Sequence, residues 1–323
     1  MKKIIIDCDP GIDDALALML ALRSPELDVA GITVVCGNVP APLGAQNTLK
    51  VLKLMNRTDI PVYLGATAPL VRPLVTAQDT HGMDGLGESG YPEVTDLPIH
   101  ENAVDFIIES LHNIDDLSII ALGPMTNIAL ALKKDPQVFS RLSQLTAMGG
   151  SYKSHGNCSP VAEFNDWADP HAAKYVFEHL GRPITMVGLD VTRKIVLTPN
   201  LISLLGHFRD EVSQFIIDIT KFYVNFHWEQ EKILGCVIND PLAVACFIAP
   251  ELCSGFDAYV TVETEGLCMG QSIVDAMDFW RKPHNAQVLT QVDEGAFMKM
   301  FLERLFPEHA GLIAHYVKGG DRA

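Results

Sequence analysis

Short apolar runs and helical stretches alternate along most of this 323-residue chain, and that alternation restricts the fold more than any other feature. Lys2-Lys3-Ile4-Ile5-Ile6, Val29–Val35, Pro61–Leu64, Leu117–Leu122, Gln144–Met148 and Pro183–Leu189 read as buried strands. Helical patterns lie between them, at Ala15–Leu22, Leu43–Met55, Ala103–His112, Thr126–Leu132, His171–Leu180 and Leu201–Leu205. Parallel strands need crossover connections, so the pattern predicts an α/β, Rossmann-like fold: a mainly parallel sheet with helices on both faces. After Phe208 the rhythm changes to C-terminal helical and strand additions. These are a long helical stretch Glu211–Leu234, a helix after Asp240, strands near Ala258–Glu263 and Ala286–Val292, and a final helix Glu294–Leu305. With no internal repeat or linker, one domain is expected over residues 1–317, with a flexible tail from Lys318 to Ala323.

Ligands of such sheets collect beyond the carboxyl ends of the strands. The polar and glycine-rich turns fall on that rim: Asp7–Asp14 after the first strand, Gly37-Asn38, Leu122-Gly123-Pro124, Met148-Gly149-Gly150 and Asp190 after later ones. The first is the most demanding, because four aspartates, Asp7, Asp9, Asp13 and Asp14, crowd the passage from strand to helix. Converging carboxylates cannot all stay ionised unless something positive neutralises them, and an all-oxygen set suits Ca²⁺ or Mg²⁺. Asp9 ends the strand and Asp14 faces it across the turn, so these two are the expected metal ligands. Asp13 is left to touch a ligand held by the ion. A local alternative exists, since acidic residues in a first turn complement the helix dipole and Pro suits a first helical position.

Composition narrows the partners. Lys plus Arg number 24 against 40 Asp plus Glu, a formal charge of −16 that opposes nucleic acid and anionic membrane and leaves a small molecule as the expected partner. No apolar run reaches membrane-spanning length and the N-terminus enters a strand without a signal-peptide pattern, so a cytoplasmic location is expected. The seven cysteines are scattered and lack a CxxC pair, which argues against a disulfide framework and a zinc site.

Two further segments carry chemistry. Asn157 to Asp166 includes Glu163 and Asn165, which together offer the donors and acceptors that several sugar hydroxyls require; a solvated loop ahead of the helix near Asp169 is the alternative. In Asn239-Asp240-Pro241, Asp240 reads either as an N-cap with Pro241 at the first helical position or as a far-side metal ligand.

Asp7-Cys8-Asp9-Pro10-Gly11-Ile12-Asp13-Asp14-Ala15, Leu122-Gly123-Pro124-Met125-Thr126-Asn127, Met148-Gly149-Gly150, Val161-Ala162-Glu163-Phe164-Asn165 and Asn239-Asp240-Pro241 occur in a characteristic order and spacing. Over roughly residues 2 to 306 the chain resembles the calcium-dependent nucleoside hydrolases, which include the inosine-uridine-preferring and bacterial ribonucleoside hydrolases. The resemblance implies hydrolysis of the N-glycosidic bond of ribonucleosides to base and ribose, a role in nucleoside salvage, and a homodimer or homotetramer. It implies Ca²⁺ held by Asp9, Asp14, Asp240 and the Leu122 carbonyl, with Asp9 as the base that activates water. It assigns Asp13, Asn38 and Asn165 to the 2′ and 3′ hydroxyls, Glu163 and Asn157 to the 5′ hydroxyl, and Met148 to the floor beneath the ring. An oxocarbenium-like transition state would be stabilised by the carboxylates.

One position departs from the family pattern. The inosine-uridine-preferring members carry a histidine before the last metal-binding aspartate, where this chain has Asn239, and an amide cannot protonate a leaving base. His81, in a Gly-rich loop, and His227, on the helical stretch that closes over the base in relatives, are the candidate replacements, with Trp228 available for stacking and Asn239 for contact. Two rival readings are a haloacid-dehalogenase-like phosphatase, which the Pro-Gly-Ile-Asp-Asp continuation disfavours, and a non-catalytic nucleoside or sugar binder.

Overall fold

The computed structural model describes residues 1–317, so the tail expected from Lys318 lies outside the described residues. β1 (Lys2–Cys8) divides its side chains between two apolar cores: Ile4, Ile6 and Cys8 enter one, Ile5 the other. Such two-sided burial requires cover above and below. The helices Ile12–Leu22, Asp240–Ile248 and Glu294–Leu305 supply it on one face, and Ala103–Asn113, Thr126–Lys134 and Pro170–His179 on the other.

The remaining strands follow in order: β2 (Leu27–Val34), β3 (Val62–Leu64), β4 (Ser118–Ala121), β5 (Leu145–Met148), β6 (Ile184–Val187), β7 (Val196–Leu197), β8 (Cys236–Val237), β9 (Cys253–Val262), β10 (Ser272–Asp275) and β11 (Ala286–Val292). Nine of the eleven strands, β1 included, form one sheet in the order β10-β9-β11-β6-β5-β4-β1-β2-β3, and β7 pairs with β8 separately. Neighbours from β3 across to β11 run parallel, while β9 and β10 join antiparallel at the far edge. The Rossmann-like expectation therefore holds. Within the sheet the order 3-2-1-4-5-6 reverses direction between β1 and β4, which is where a doubly wound sheet opens a crevice.

Three expectations need correction. β9 begins at Cys253 and not near Ala258; its first half pairs with β11 and its second with β10, and exposed Ser254 and Gly255 dilute the apolar signal. The long helix stops at Glu231 and not Leu234, because Lys232 adopts a left-handed φ of 58°. β10 and a last helix, Ala310–Tyr316, had no counterpart in the sequence reading.

The first helix positions the site. All residues from Ile12 to Leu22 are buried, and the helix packs against Asp240–Ile248. That contact carries Asp240, distant in sequence, to the turn that follows β1. Leu18, with no exposed surface, lies in this layer. Leu18→Ala is expected to cost about 2–5 kcal/mol in urea unfolding, the usual range for a buried Leu truncation; a loss below about 1 kcal/mol would show that the layer is loosely packed.

Candidate active site

Asp9 and Asp14 sit on either side of the turn between β1 and the first helix, and both are fully buried. Backbone donors orient them. The amides of Asp9 and Gly11 reach the two oxygens of Asp14 at 3.2 and 3.0 Å. Asn38 holds both residues at once, donating its N–H to Asp9 Oδ2 at 2.6 Å and its side-chain amide to Asp14 Oδ2 at 2.9 Å. Two glycines make the close fit possible: a Cβ on Gly37 would lie 2.0 Å from Asp9 Oδ2, and one on Gly123 2.5 Å from Asp9 Oδ1. Asp14 lies in the first turn of the helix and accepts the Gly11 amide, so the helix-dipole alternative holds for it in part.

Asp240 does not cap its helix. It is the first helical residue, after Asn239, and its carboxylate turns toward the first helix instead. One oxygen each from Asp13, Asp14 and Asp240 lie within 4.8 Å of one another, all buried. Asp13 is oriented from the other side. Its Oδ2 accepts from Tyr223 O–H at 3.2 Å, Asn239 Nδ2 at 3.0 Å and the Asn239 amide at 3.3 Å.

The electrostatics of this cup are unfavourable without a cation. Burial, then repulsion between neighbouring aspartates, raises Asp9 and Asp240 well above the carboxylate range and Asp14 to about 6. Among the described residues no Lys or Arg bonds to any of the four carboxylates, and Asp9 Oδ1 is buried without a hydrogen-bond partner. An orphaned carboxylate oxygen in an all-oxygen cup fits a hard divalent ion.

A cavity opens beside the cup. Asp13, Asn38, Met148, Asn157, Glu163, Asn165, His81, His227, Asn239, Asp240 and Leu122 all line it. Asp9 and Asp14 are not among its lining residues. Asn165 donates its amide to the Leu122 and Met148 carbonyls at 2.6 and 3.1 Å, tying the ends of β4 and β5 together. Glu163 caps the short helix Phe164–Ala168 and also accepts from the Gly150 amide at 3.0 Å. Burial and the nearby Asp166 carboxylate push Glu163 up to about 8.

The two histidines differ in which nitrogen is committed. His81 Nδ1 accepts the Ile12 amide at 3.1 Å, so its proton sits on Nε2. His227 Nδ1 donates to the Tyr223 carbonyl at 2.9 Å, which leaves Nε2 as the free nitrogen. Burial lowers both pKa values from the ordinary 6.5. Trp228 is not among the cavity-lining residues and is 45% exposed, because one step along a helix rotates it off the face that carries Tyr223 and His227. Phe226 and Tyr223 supply the aromatic surface. Tyr223 escaped the sequence reading although its spacing of four from His227 places both on one face. Arg193 and Glu231, also in the lining, gave no local signal.

An oxygen-lined cup at the switch point of a Rossmann-order sheet, beside a polar cavity, defines a small-molecule enzyme of the α/β class. The chain belongs to the inosine-uridine preferring nucleoside hydrolase family, whose model matches residues 4–299. It is 37% identical over 305 residues to the pyrimidine-specific ribonucleoside hydrolase RihA of Escherichia coli (strain K12), covering 94% of this chain and 97% of that one. Among solved structures it resembles a purine-preferring ribonucleoside hydrolase from Gardnerella vaginalis, with a TM-score of 0.89 and 34% identity over 97% of this chain and 99% of the other. A plant nucleoside hydrolase, PpNRh1, gives a TM-score of 0.90 and 33% identity over 94% of this chain and 98% of the other. The protein is a ribonucleoside hydrolase, and the phosphatase and pure-binder readings are not favoured.

The raised carboxylates make stability depend on pH. Asp14, Asp7 and Glu163 sit at about 6, 7 and 8 against ordinary values of 3.8, 3.8 and 4.5, so between these limits the folded protein binds more protons than the unfolded chain. Stability then falls as pH rises through that window. In a chelator, the melting temperature is expected to drop between about pH 5 and about pH 8, and added Ca²⁺ to restore more of it at the higher pH. A chelated melting temperature that climbs across that window, measured by scanning calorimetry, would contradict the assignment.

Proposed function

We propose that this hydrolase cleaves the N-glycosidic bond of ribonucleosides, pyrimidine ribonucleosides first, with Ca²⁺ held by Asp9, Asp14, Asp240 and the Leu122 carbonyl. The observation that carries the reading is the trio of buried carboxylates Asp13, Asp14 and Asp240, one oxygen of each within 4.8 Å of the others, together with Asp9, whose Oδ1 is buried without a hydrogen-bond partner. When bound, the ion supplies Lewis acidity and neutralises the repulsion among the carboxylates.

The chain's own residues do the rest. Asp9 takes the proton of the attacking water as general base, which its fixed orientation by the Asn38 amide supports. Asp13 Oδ1, Asn38 and Asn165 bind the 2′ and 3′ hydroxyls. Glu163 and Asn157 hold the 5′ hydroxyl, and Met148 lies beneath the ring. Positive charge that develops on the ribosyl carbon is stabilised by the carboxylates around it. At the base end, His227 is assigned as the acid: Nδ1–H stays on the Tyr223 carbonyl, so Nε2 has to take up a proton from solvent, forming the imidazolium, before it passes that proton to the leaving base. His81 presents Nε2–H as a hydrogen-bond donor to the base.

The pyrimidine preference rests on relatives of 37–38% identity, which are pyrimidine-specific enzymes, against 34% for the purine-preferring one. A reducing-sugar assay with uridine, cytidine, inosine and adenosine tests it; faster release from inosine or adenosine would reverse the order. Asp9→Asn is expected to lower kcat about 10²- to 10⁴-fold, the usual worth of a general base, with a smaller change in KM. Turnover that persists after exhaustive chelation would remove Ca²⁺ from the account. His227→Ala is expected to slow uridine more than an activated nitrophenyl riboside, and equal losses on both substrates would remove the acid role.

A further inference from the structure

Two elements distant in sequence line the cavity. One is the loop after β5 that carries Asn157; the other is the last turn of the helix Glu211–Glu231, whose preceding turns carry Tyr223, Phe226 and His227. A short helix, Leu189–Thr192, follows β6. Its acidic residue organises the start of the loop: Asp190 accepts the amides of Tyr152, Lys153 and Ser154 at 2.6, 2.8 and 3.1 Å.

Arg193, at the end of that helix, reaches both elements. Its Nη2 donates to the Gly156 carbonyl at 2.9 Å, and Nη1 lies 3.0 and 2.7 Å from the ring nitrogens of His155. The same Nη1 stands 3.4 Å from Glu231 Oε2 in the helix. The pair is partly shielded, with the two side chains 16% and 24% exposed, so water screens it less than a surface ion pair. A planar guanidinium suits this task because its donors fan out in fixed directions and can hold a carbonyl and a carboxylate together.

We propose that Arg193 is a positioning residue of the nucleoside site, bracketing the Asn157 loop to the last turn of the helix Glu211–Glu231 and so setting how firmly the cavity closes on its ligand. The inference rests on the proposed ribose contact of Asn157 and the base contacts of the helix. Neither Arg193 nor Glu231 touches the buried turn that holds Asp9. Loss of the bracket therefore weakens binding of substrate and transition state alike, which raises KM and leaves kcat nearly unchanged.

The test uses the full-length Arg193→Met, Arg193→Lys, Glu231→Gln and double Arg193→Met/Glu231→Gln enzymes with saturating Ca²⁺, assayed on uridine and inosine. Arg193→Met is expected to raise KM about tenfold or more, with kcat within about threefold of wild type. Arg193→Lys is expected to recover part of that loss. Glu231→Gln, which leaves the guanidinium in place, is expected to shift KM in the same direction by less, and the double variant to be no worse than Arg193→Met, because both changes break one bracket. A KM unchanged in Arg193→Met, a kcat that falls while KM holds, or effects of the two single changes that multiply would each overturn the bracket. If Arg193→Met does not fold, Glu231→Gln and Arg193→Lys decide alone: unchanged KM in both defeats the proposal. An active wild-type enzyme with an indifferent Arg193 defeats only this inference, whereas a wild-type enzyme that releases no sugar from any nucleoside defeats the functional reading and the bracket with it.

Discussion

Carboxylates sharing one buried cup repel each other, and the rim of this sheet is arranged to keep them together despite that repulsion. Asp14 is fixed by two backbone amides, Asp9 by a third, and Asn38 spans both. No side chain intrudes from Gly37 or Gly123, where a Cβ would collide with Asp9. Dipoles of this kind orient charge without cancelling it, so the cup stays electrostatically incomplete until something positive enters. Folding and ligand binding are coupled through that deficit: the sheet and the first helix impose the geometry, and the occupant relieves it.

Topology explains why the cup stands where it does. The strand order reverses between β1 and β4, and the turns after these two strands contribute Asp9, Asp14 and Leu122. Asn165 extends the frame to β5 by bonding the Leu122 and Met148 carbonyls. The last carboxylate comes from far along the chain, on a helix whose apolar body packs against the fully buried first helix. Core packing thereby sets a distance between charges, and an apolar contact decides whether Asp240 reaches the cup at all.

Much of this was legible in the sequence, for reasons that differ by residue. Strands β4 and β5 and the inner parts of β1, β2 and β6 announce themselves because both faces are buried and their residues are nearly continuous apolar runs. The Asp7–Asp14 turn was legible because such charge density has few stable explanations, and the later motifs because residues at chain-distant positions matched one family pattern. Asp240 shows the limit of local rules: capping chemistry predicted an N-cap, but the pull of the acidic cluster and helix packing place its carboxylate elsewhere. Trp228 shows another, since an exposed aromatic beside a buried histidine gives no local sign of which faces inward. Arg193 and Glu231 come from separate elements, and only the folded chain makes them neighbours.

Asn239 links the departure from the family pattern to the geometry of the sugar site. Its side-chain amide and backbone N–H both donate to Asp13 Oδ2, joined there by the Tyr223 hydroxyl. Three donors on one oxygen fix the carboxylate plane and leave Oδ1 without a hydrogen bond, free to accept from a ligand hydroxyl. A histidine at position 239 would have one side-chain nitrogen to give and a proton to trade; an amide has donors but no proton to lose near neutral pH. Under the proposed reading, the exchange strengthens the hold on the ribose side while emptying the acid position on the base side. The proposal gives the proton transfer to the helix that also carries Tyr223. Because Tyr223 and His227 are a single turn apart, the residue that orients the Asp13 carboxylate and the residue with the free imidazole nitrogen share one face of one helix, so the geometry of one constrains that of the other.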